Sequence, residues 1–332
     1  MSAQPTRQTN GDYFRQNQKL AASGARRLLP IIQKWFTLIH TAVLYGVKTQ
    51  LEMGLKPIKK GVVLYKDTPG QITAQICDWK CVEENGKQVL KPVMLEIVVT
   101  GANAAKERFN IEGTFTMTDP AMNAWVAQHT GELVREITSE MRANIRTIIG
   151  NTVKAGHPVS GAAREIRRLQ SFALTTRQVE YVSNYRRKLD LFHGGWDKLR
   201  NTDAVRGVLG RMGPSDVTRL SIDELKRVHA SVYPAGAPAR KVVDSRVASY
   251  TRMKTRQRSH VIARTEAMQA LNEGEKIALR AEGIQYVEWL AAVDCCPACA
   301  EITGEVYRLD QAPGPPLHPS CRCCLVPRDS MS

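Results

Sequence analysis

The sequence predicts an α+β, mainly helical chain, with a β-rich insert near the N-terminus, a helical middle domain and a small metal-clipped α+β domain at the C-terminus. Three observations carry this expectation. Apolar residues recur at helical spacing in 28–55 and again in 134–148. Short β-branched runs separated by turn signals fall within 61–118. Six of the eight cysteines crowd into residues 295–324. The expected divisions are a helical segment at 1–60, a β-rich module at 61–118, a helical domain at 119–232 and a C-terminal domain at 239–332.

The chain has 332 residues, 47 Lys and Arg against 32 Asp and Glu, and a formal charge of +15. With 43% hydrophobic and 24% charged residues it has the composition of a globular protein, neither a disordered nor a membrane protein. Residues Met1 to Asp12 are polar and lack an apolar signal core, so neither secretion nor disulfide-driven folding is expected. Leu28 to Val47 is interrupted by Pro30, Gln33, Lys34 and His40, which leaves it short of the roughly 20 clean apolar residues of a membrane span. It reads as a buried or partner-facing helix.

Phe14 to Arg27 and Leu28 to Leu55 predict helix, bounded by Gly54, Pro57 and Gly61. Val62–Tyr65, Ile72–Val82 and Val89–Val99 predict strands, with Pro69-Gly70 and Asn85-Gly86 as the intervening turns. Asp119 then serves as an N-cap with Pro120 in the first turn, and Val134, Ile137, Met141, Ile145 and Ile148 share one helix face ending near Gly150. Further helices are expected after His157-Pro158, with Ser160 as cap and Ala163, Ile166 and Leu169 inward, and over Thr175 to Leu189, with Val179, Val182 and Arg186 on neighbouring turns. The Pro- and Gly-rich Tyr233 to Pro238 reads as a linker. Val242 to Glu282 predicts one long helix, or two joined near Gly274, stopped by Gly283. Ile284–Leu290 and Glu305–Leu309 predict strands, the second following the Thr303-Gly304 turn.

The positive charge is clustered. Arg164 to Arg200 holds nine Lys and Arg against four acids, and Arg240 to Arg264 holds eight against one. Such an excess points to a polyanion, with nucleic acid the commonest. Aromatic residues make up only 6% of the chain, so sequence-independent phosphate contact is expected rather than base stacking.

The strongest chemical signal is Cys296-x2-Cys299 followed by His318-x2-Cys321-x-Cys323. Two closely spaced pairs on separate loops can close on one tetrahedral ion, which predicts structural zinc held by Cys296 and Cys299 with two of His318, Cys321 and Cys323. Spacing leaves open which two. Cys295 and Cys324 adjoin ligand candidates and are expected to point elsewhere. A redox pair would leave His318, Cys321 and Cys323 unexplained. A zinc deaminase needs His-x-Glu, which no histidine here provides. Cys77 and Cys81 are expected to be ordinary half-buried residues on one strand face. His40, His129, His157, His193, His229 and His260 read as surface or locally satisfied residues, and no nucleophile elbow, P-loop or dinucleotide fingerprint is present.

The order Ile262-Ala-Arg-Thr-Glu266, Ala270, Asn272, Trp289, Asp294, Cys296-Pro-Ala-Cys299, Gly304 and Pro315-Pro-Leu-His-Pro-Ser-Cys-Arg-Cys323 resembles the phage Mu F-type minor head proteins, also called phage head morphogenesis proteins. Ala124-Trp125, Gly131 to Val134 and Asn184-Tyr185-Arg186 extend the likeness over about 119–323; residues 1–118 show none. The resemblance implies a non-enzymatic virion protein at the portal vertex and capsid interior, present in the host cytoplasm during assembly. The implied partners are the portal protein, capsid or scaffolding proteins and double-stranded DNA, with no membrane. It also implies that Arg264, Thr265 and Glu266 form a structural motif, with Arg264 and Glu266 bracing their helix against the cysteine loop and Arg322 acting likewise. The alternative is a zinc-containing nucleic-acid-processing enzyme of the treble-clef nuclease type. A host DNA-binding regulator would need a base-reading helix that the sequence does not display.

Overall fold

The computed structural model describes residues 7–49, 68–155, 159–169, 171–194, 227 and 239–328. The fold is mainly helical. Its elements in order are α1 (Arg7–Gly46), α2 (Pro69–Ile76), α3 (Trp79–Phe109), α4 (Pro120–Lys154), α5 (Val159–Leu169), a 3-10 turn (Ser171–Ala173), α6 (Thr176–Gly194), α7 (Ala239–Ala281), β1 (Tyr286–Leu290), α8 (Pro297–Glu301), β2 (Val306–Arg308) and β3 (Cys324–Arg328).

The described residues of the expected β-rich insert form the helices α2 and α3, followed by irregular chain over 110–118, and include no strand. Pro69-Gly70 opens α2, because Thr68 forms a capping box with Gln71 and Pro69 sits in the first turn, where its missing N–H costs nothing. Asn85-Gly86 lies inside α3, where the turn reading is defeated by packing. Gly86 leaves room for the indole of buried Trp35, which donates from Nε1 to the Val82 carbonyl at 3.1 Å. Along α3, Val82, Leu90, Met94, Ile97, Val98, Ala102 and Ala105 are buried, a helical period that outweighs the β-branched composition. Val62–Tyr65 and the 233–238 linker lie outside the described residues, as do His157 and His229.

The fold contains two compact units. The first comprises Met1–Leu38, Trp79–Ile137 and Gln257–Ser332. Leu28, Ile32, Trp35 and Phe36 of α1 are buried here, with Ala263, Ala267, Leu271 and Ala278 of α7. Although the interrupted run Leu28 to Val47 was expected to fall short of a membrane span, by length and composition the helical stretch Gly11–Thr49 is apolar enough to cross one, with 33% of that window buried. Helices α3 and α7 meet backbone to backbone: a Cβ at Gly101 would collide with the Leu271 carbonyl, and one at Gly274 with the Val98 carbonyl. Gly274 therefore lies within one continuous helix and joins it closely to α3. Gly283, at φ 79°, ends the turn after α7.

A three-stranded antiparallel sheet, ordered β2-β1-β3, completes this unit. Val287 pairs with Tyr307 and with Pro327, and Trp289 with Leu325. The first two strands fall inside the expected spans; the third, which begins at Cys324, was not expected.

The second unit comprises Ile39–Asp78 and Thr138–Arg256. Its core includes Ile39 and Val43 of α1, Met141, Ile145 and Ile148 of α4, and Ala163 and Ile166 of α5. Buried Asn144 donates to the carbonyls of Phe172 and Leu174 at 3.2 and 2.6 Å, holding the 3-10 turn against α4. Asp119 Oδ1 accepts from Met122 N–H at 3.1 Å, as expected of the N-cap. Helix α4 continues beyond Gly150 to Lys154.

Candidate metal centre

Strand β1 delivers the chain to Cys296, the N-cap of α8, with Pro297 in the first turn. Because Pro297 starts the turn, the N–H groups of Cys299 and Ala300 close back on the Cys296 carbonyl at 3.1 and 3.0 Å. The long loop after β2 brings the second half. Within it, Cys321 N–H donates to the His318 carbonyl at 3.0 Å, and Ser320 takes the left-handed conformation at φ 63°.

The five expected ligands converge. Cys296 Sγ and Cys299 Sγ lie 3.2 and 3.4 Å from His318 Nε2, and Cys299 Sγ lies 3.8 Å from Cys321 Sγ. Cys299, Cys321 and Cys323 form a second donor triad that shares Cys299 with the first. A tetrahedral ion bonded to sulfur at about 2.3 Å and to nitrogen at about 2.0 Å would hold sulfurs about 3.8 Å apart and sulfur about 3.5 Å from nitrogen. The observed separations fit that geometry, so the cluster has the donors and spacing to hold a metal ion.

The electrostatics of the metal-free cluster are mixed. Backbone N–H donation from Cys299 lowers the Cys296 pKa, and hydrogen bonding from the Cys323 thiol, with further backbone donation, draws Cys321 down to about 5. Burial, reinforced by Cys296, pushes Cys299 up to about 12, while its bond to Cys321 raises Cys323. Without a cation the cluster thus holds a mixture of thiols and thiolates; a bound divalent ion would favour the deprotonated state of its sulfur ligands. His318 is raised first by its hydrogen bond to the Pro319 carbonyl, with Nδ1 3.1 Å from that oxygen. That bond assigns the proton to Nδ1 and leaves the Nε2 lone pair facing the sulfurs.

Two side chains of α7 support the loop from below. Thr265 Oγ1 accepts from Ser320 N–H at 3.0 Å while donating to the Val261 carbonyl at 2.8 Å. Two helical turns on, buried Asn272 donates to the Pro315 carbonyl at 3.2 Å. Arg322 forms an ion pair with Asp294, linking the two halves of the centre, and its carbonyl accepts from Gln18 Nε2 at 3.0 Å.

The other expected residues lie as follows. Arg264 is exposed beside the loop. Glu266 turns away from the cysteines and contacts His129 of α4 at 2.6 Å, with Trp125 stacked on the imidazole at a centroid distance of 4.5 Å. Cys324 is buried on the strand side, its Sγ directed at the Leu290 carbonyl, and burial raises its pKa. Cys295 is half-buried outside both triads. Cys77 follows α2 and Cys81 lies in α3, half-buried and exposed respectively, and neither joins a donor cluster among the described residues.

The bracing role of Asn272 and the His129–Glu266 contact were not expected from single residues. The local signal for Asn272 is its seven-residue interval from Thr265, which places both on one helix face; the His129–Glu266 contact has no local signal.

No curated protein and no solved structure matches this chain. Residues 232–326 match the model of the family described as Phage Mu protein F like protein, and that span, which is similar to the family, contains the cysteine cluster together with Thr265 and Asn272.

Proposed function

We propose that the protein is a minor capsid and head morphogenesis protein of a tailed bacteriophage, structural rather than catalytic, working at the portal vertex and capsid interior. The observation that carries this reading is the family match over 232–326, which encloses the metal centre and its supporting helix face. Within it, structural zinc held by Cys296 and Cys299 with two of His318, Cys321 and Cys323 clips the loop onto α7. A short, proline-containing loop has little apolar core of its own, and a metal ion supplies the missing rigidity.

The partners in this reading are the portal protein, capsid or scaffolding proteins and double-stranded DNA bound without sequence preference. The last is supported by the +15 charge and by exposed Arg187, Arg252 and Arg256 on α6 and α7. Not every cation contributes: Arg258 is buried over Phe36, and Arg186 pairs with Asp244 at 2.6 Å. The protein would act in the host cytoplasm during assembly and remain in the virion.

An amber allele combined with mass spectrometry of purified particles tests the proposal. The expected result is the chain in wild-type virions and a loss of infectious heads without it. Normal infectious particles from the amber mutant would overturn the reading.

A further inference from the structure

Beside the cysteine loop, α1 and α7 border an open, largely apolar cleft of about 430 Å3 with arginines at its walls. That volume lies within the roughly 300–1,000 Å3 range of small-ligand sites. On α1, Gln18, Ala22 and Arg26 recur every fourth residue along the wall; on α7, His260, Arg264 and Met268 do the same. Ala21 and Ala25 keep the α1 side low, and Ser320 and Arg322 close the end nearest the metal centre. No acidic residue lines the cleft among the described residues. Arg26 and Arg264 are exposed and form no ion pair among the described residues. Two exposed guanidinium groups bordering one cleft favour an anion there over a cation. The planar fork of each guanidinium matches a phosphate through paired N–H donors.

We infer that this cleft binds a phosphodiester group of nucleic acid, with Arg26 and Arg264 as the direct contacts. The inference rests on the proposed DNA contact and gives it a location. Arg322 is tied to Asp294 and to Gln18, so it shapes the end of the cleft while Arg26 and Arg264 remain available to the ligand. Hydrogen bonds to phosphate carry no base information, which agrees with binding that ignores sequence.

The test uses the full-length protein and a short mixed-sequence DNA duplex, with affinity measured across a salt series. The double variant R26Q/R264Q is compared with R15Q/R308Q, which removes the same charge from exposed positions outside the cleft. Thermal melts of all three proteins confirm equal folding. The cleft variant is expected to bind about tenfold more weakly, with a salt slope reduced by about 1 to 2, while the control stays close to wild type. Equal effects of the two variants would overturn the cleft and leave general DNA contact standing. A wild-type protein that binds no duplex would overturn both readings.

Discussion

The hydroxyl of Thr265 accepts the backbone N–H of Ser320 at 3.0 Å, one residue before Cys321. A side chain in the middle of a long helix thereby sets the conformation of the loop that presents His318 and Cys321. Ser320 occupies the left-handed region at φ 63°, and the hydrogen bond holds it there. A metal ion entering such a site would meet a loop already shaped for it.

Thr265→Val should therefore weaken metal binding while leaving the ligands intact. Losing an outer support of this kind typically lowers affinity about 10- to 100-fold. Competition against a chromophoric chelator measures it, and Thr265→Ser should restore most of the affinity. Wild-type affinity in the valine variant would show that the loop needs no brace.

The purified protein, prepared without added metal, should contain about one zinc per chain, as four-ligand tetrahedral coordination requires. Cys299→Ser should abolish stoichiometric binding, because Cys299 belongs to both donor triads. Cys324→Ser should not, since its sulfur faces the Leu290 carbonyl. Elemental analysis distinguishes the three proteins.

Metal retention should fall as pH falls. The pKa of His318 is raised above its usual value in the metal-free centre, so protons compete for it at higher pH than for a free histidine. Affinity declines as pH drops through that raised pKa, and because Cys299 holds its proton up to about 12 in the metal-free centre, proton competition at the thiols extends the slope to higher pH. A chelator titration across pH checks the sign; affinity that rises on acidification would contradict it.

Gly101→Ala and Gly274→Ala should each destabilise the protein by about 1–3 kcal/mol, the usual penalty for overpacking a close contact. The new methyl group would meet the Leu271 or Val98 carbonyl, which belongs to rigid helix backbone. Gly131→Ala, with nothing within 4 Å of the added carbon, should instead gain a few tenths to about 1 kcal/mol of stability. Denaturant unfolding of the three variants compares them directly.

Asn144→Leu should cost about 1–3 kcal/mol by leaving the Phe172 and Leu174 carbonyls without their donor in a buried site. Thermal unfolding and hydrogen exchange at the following turn would report it. An unchanged melting temperature would show that the two bonds are replaced.

Much of the helical pattern was legible because it is local. The α4 stripe from Val134 to Ile148 is buried as its spacing predicted, and Asp119 caps the helix as its type and position predicted. Strands β1 and β2 were visible as short β-branched or aromatic runs. The failure at α2 and α3 has a definite cause. Pro69-Gly70 and Asn85-Gly86 carry turn chemistry in isolation, yet Thr68 caps one pair into a helix and Trp35, far away in sequence, packs against the other. Strand β3 escaped notice because its pairing with β1 reaches across the intervening cysteine loop.

The sequence by itself named the candidate donors that the fold brings together. Ligand spacing within Cys296–Cys299 and within His318–Cys323 is a short-range property, and side-chain chemistry names the ions such donors favour. Only the tertiary structure decided what holds those donors in place. Thr265 and Asn272 act through hydrogen bonds to a loop more than forty residues away, and Glu266 spends its carboxylate on His129 instead. Such contacts depend on which helix faces meet, and that is set by the burial of the whole first unit rather than by any local run of residues.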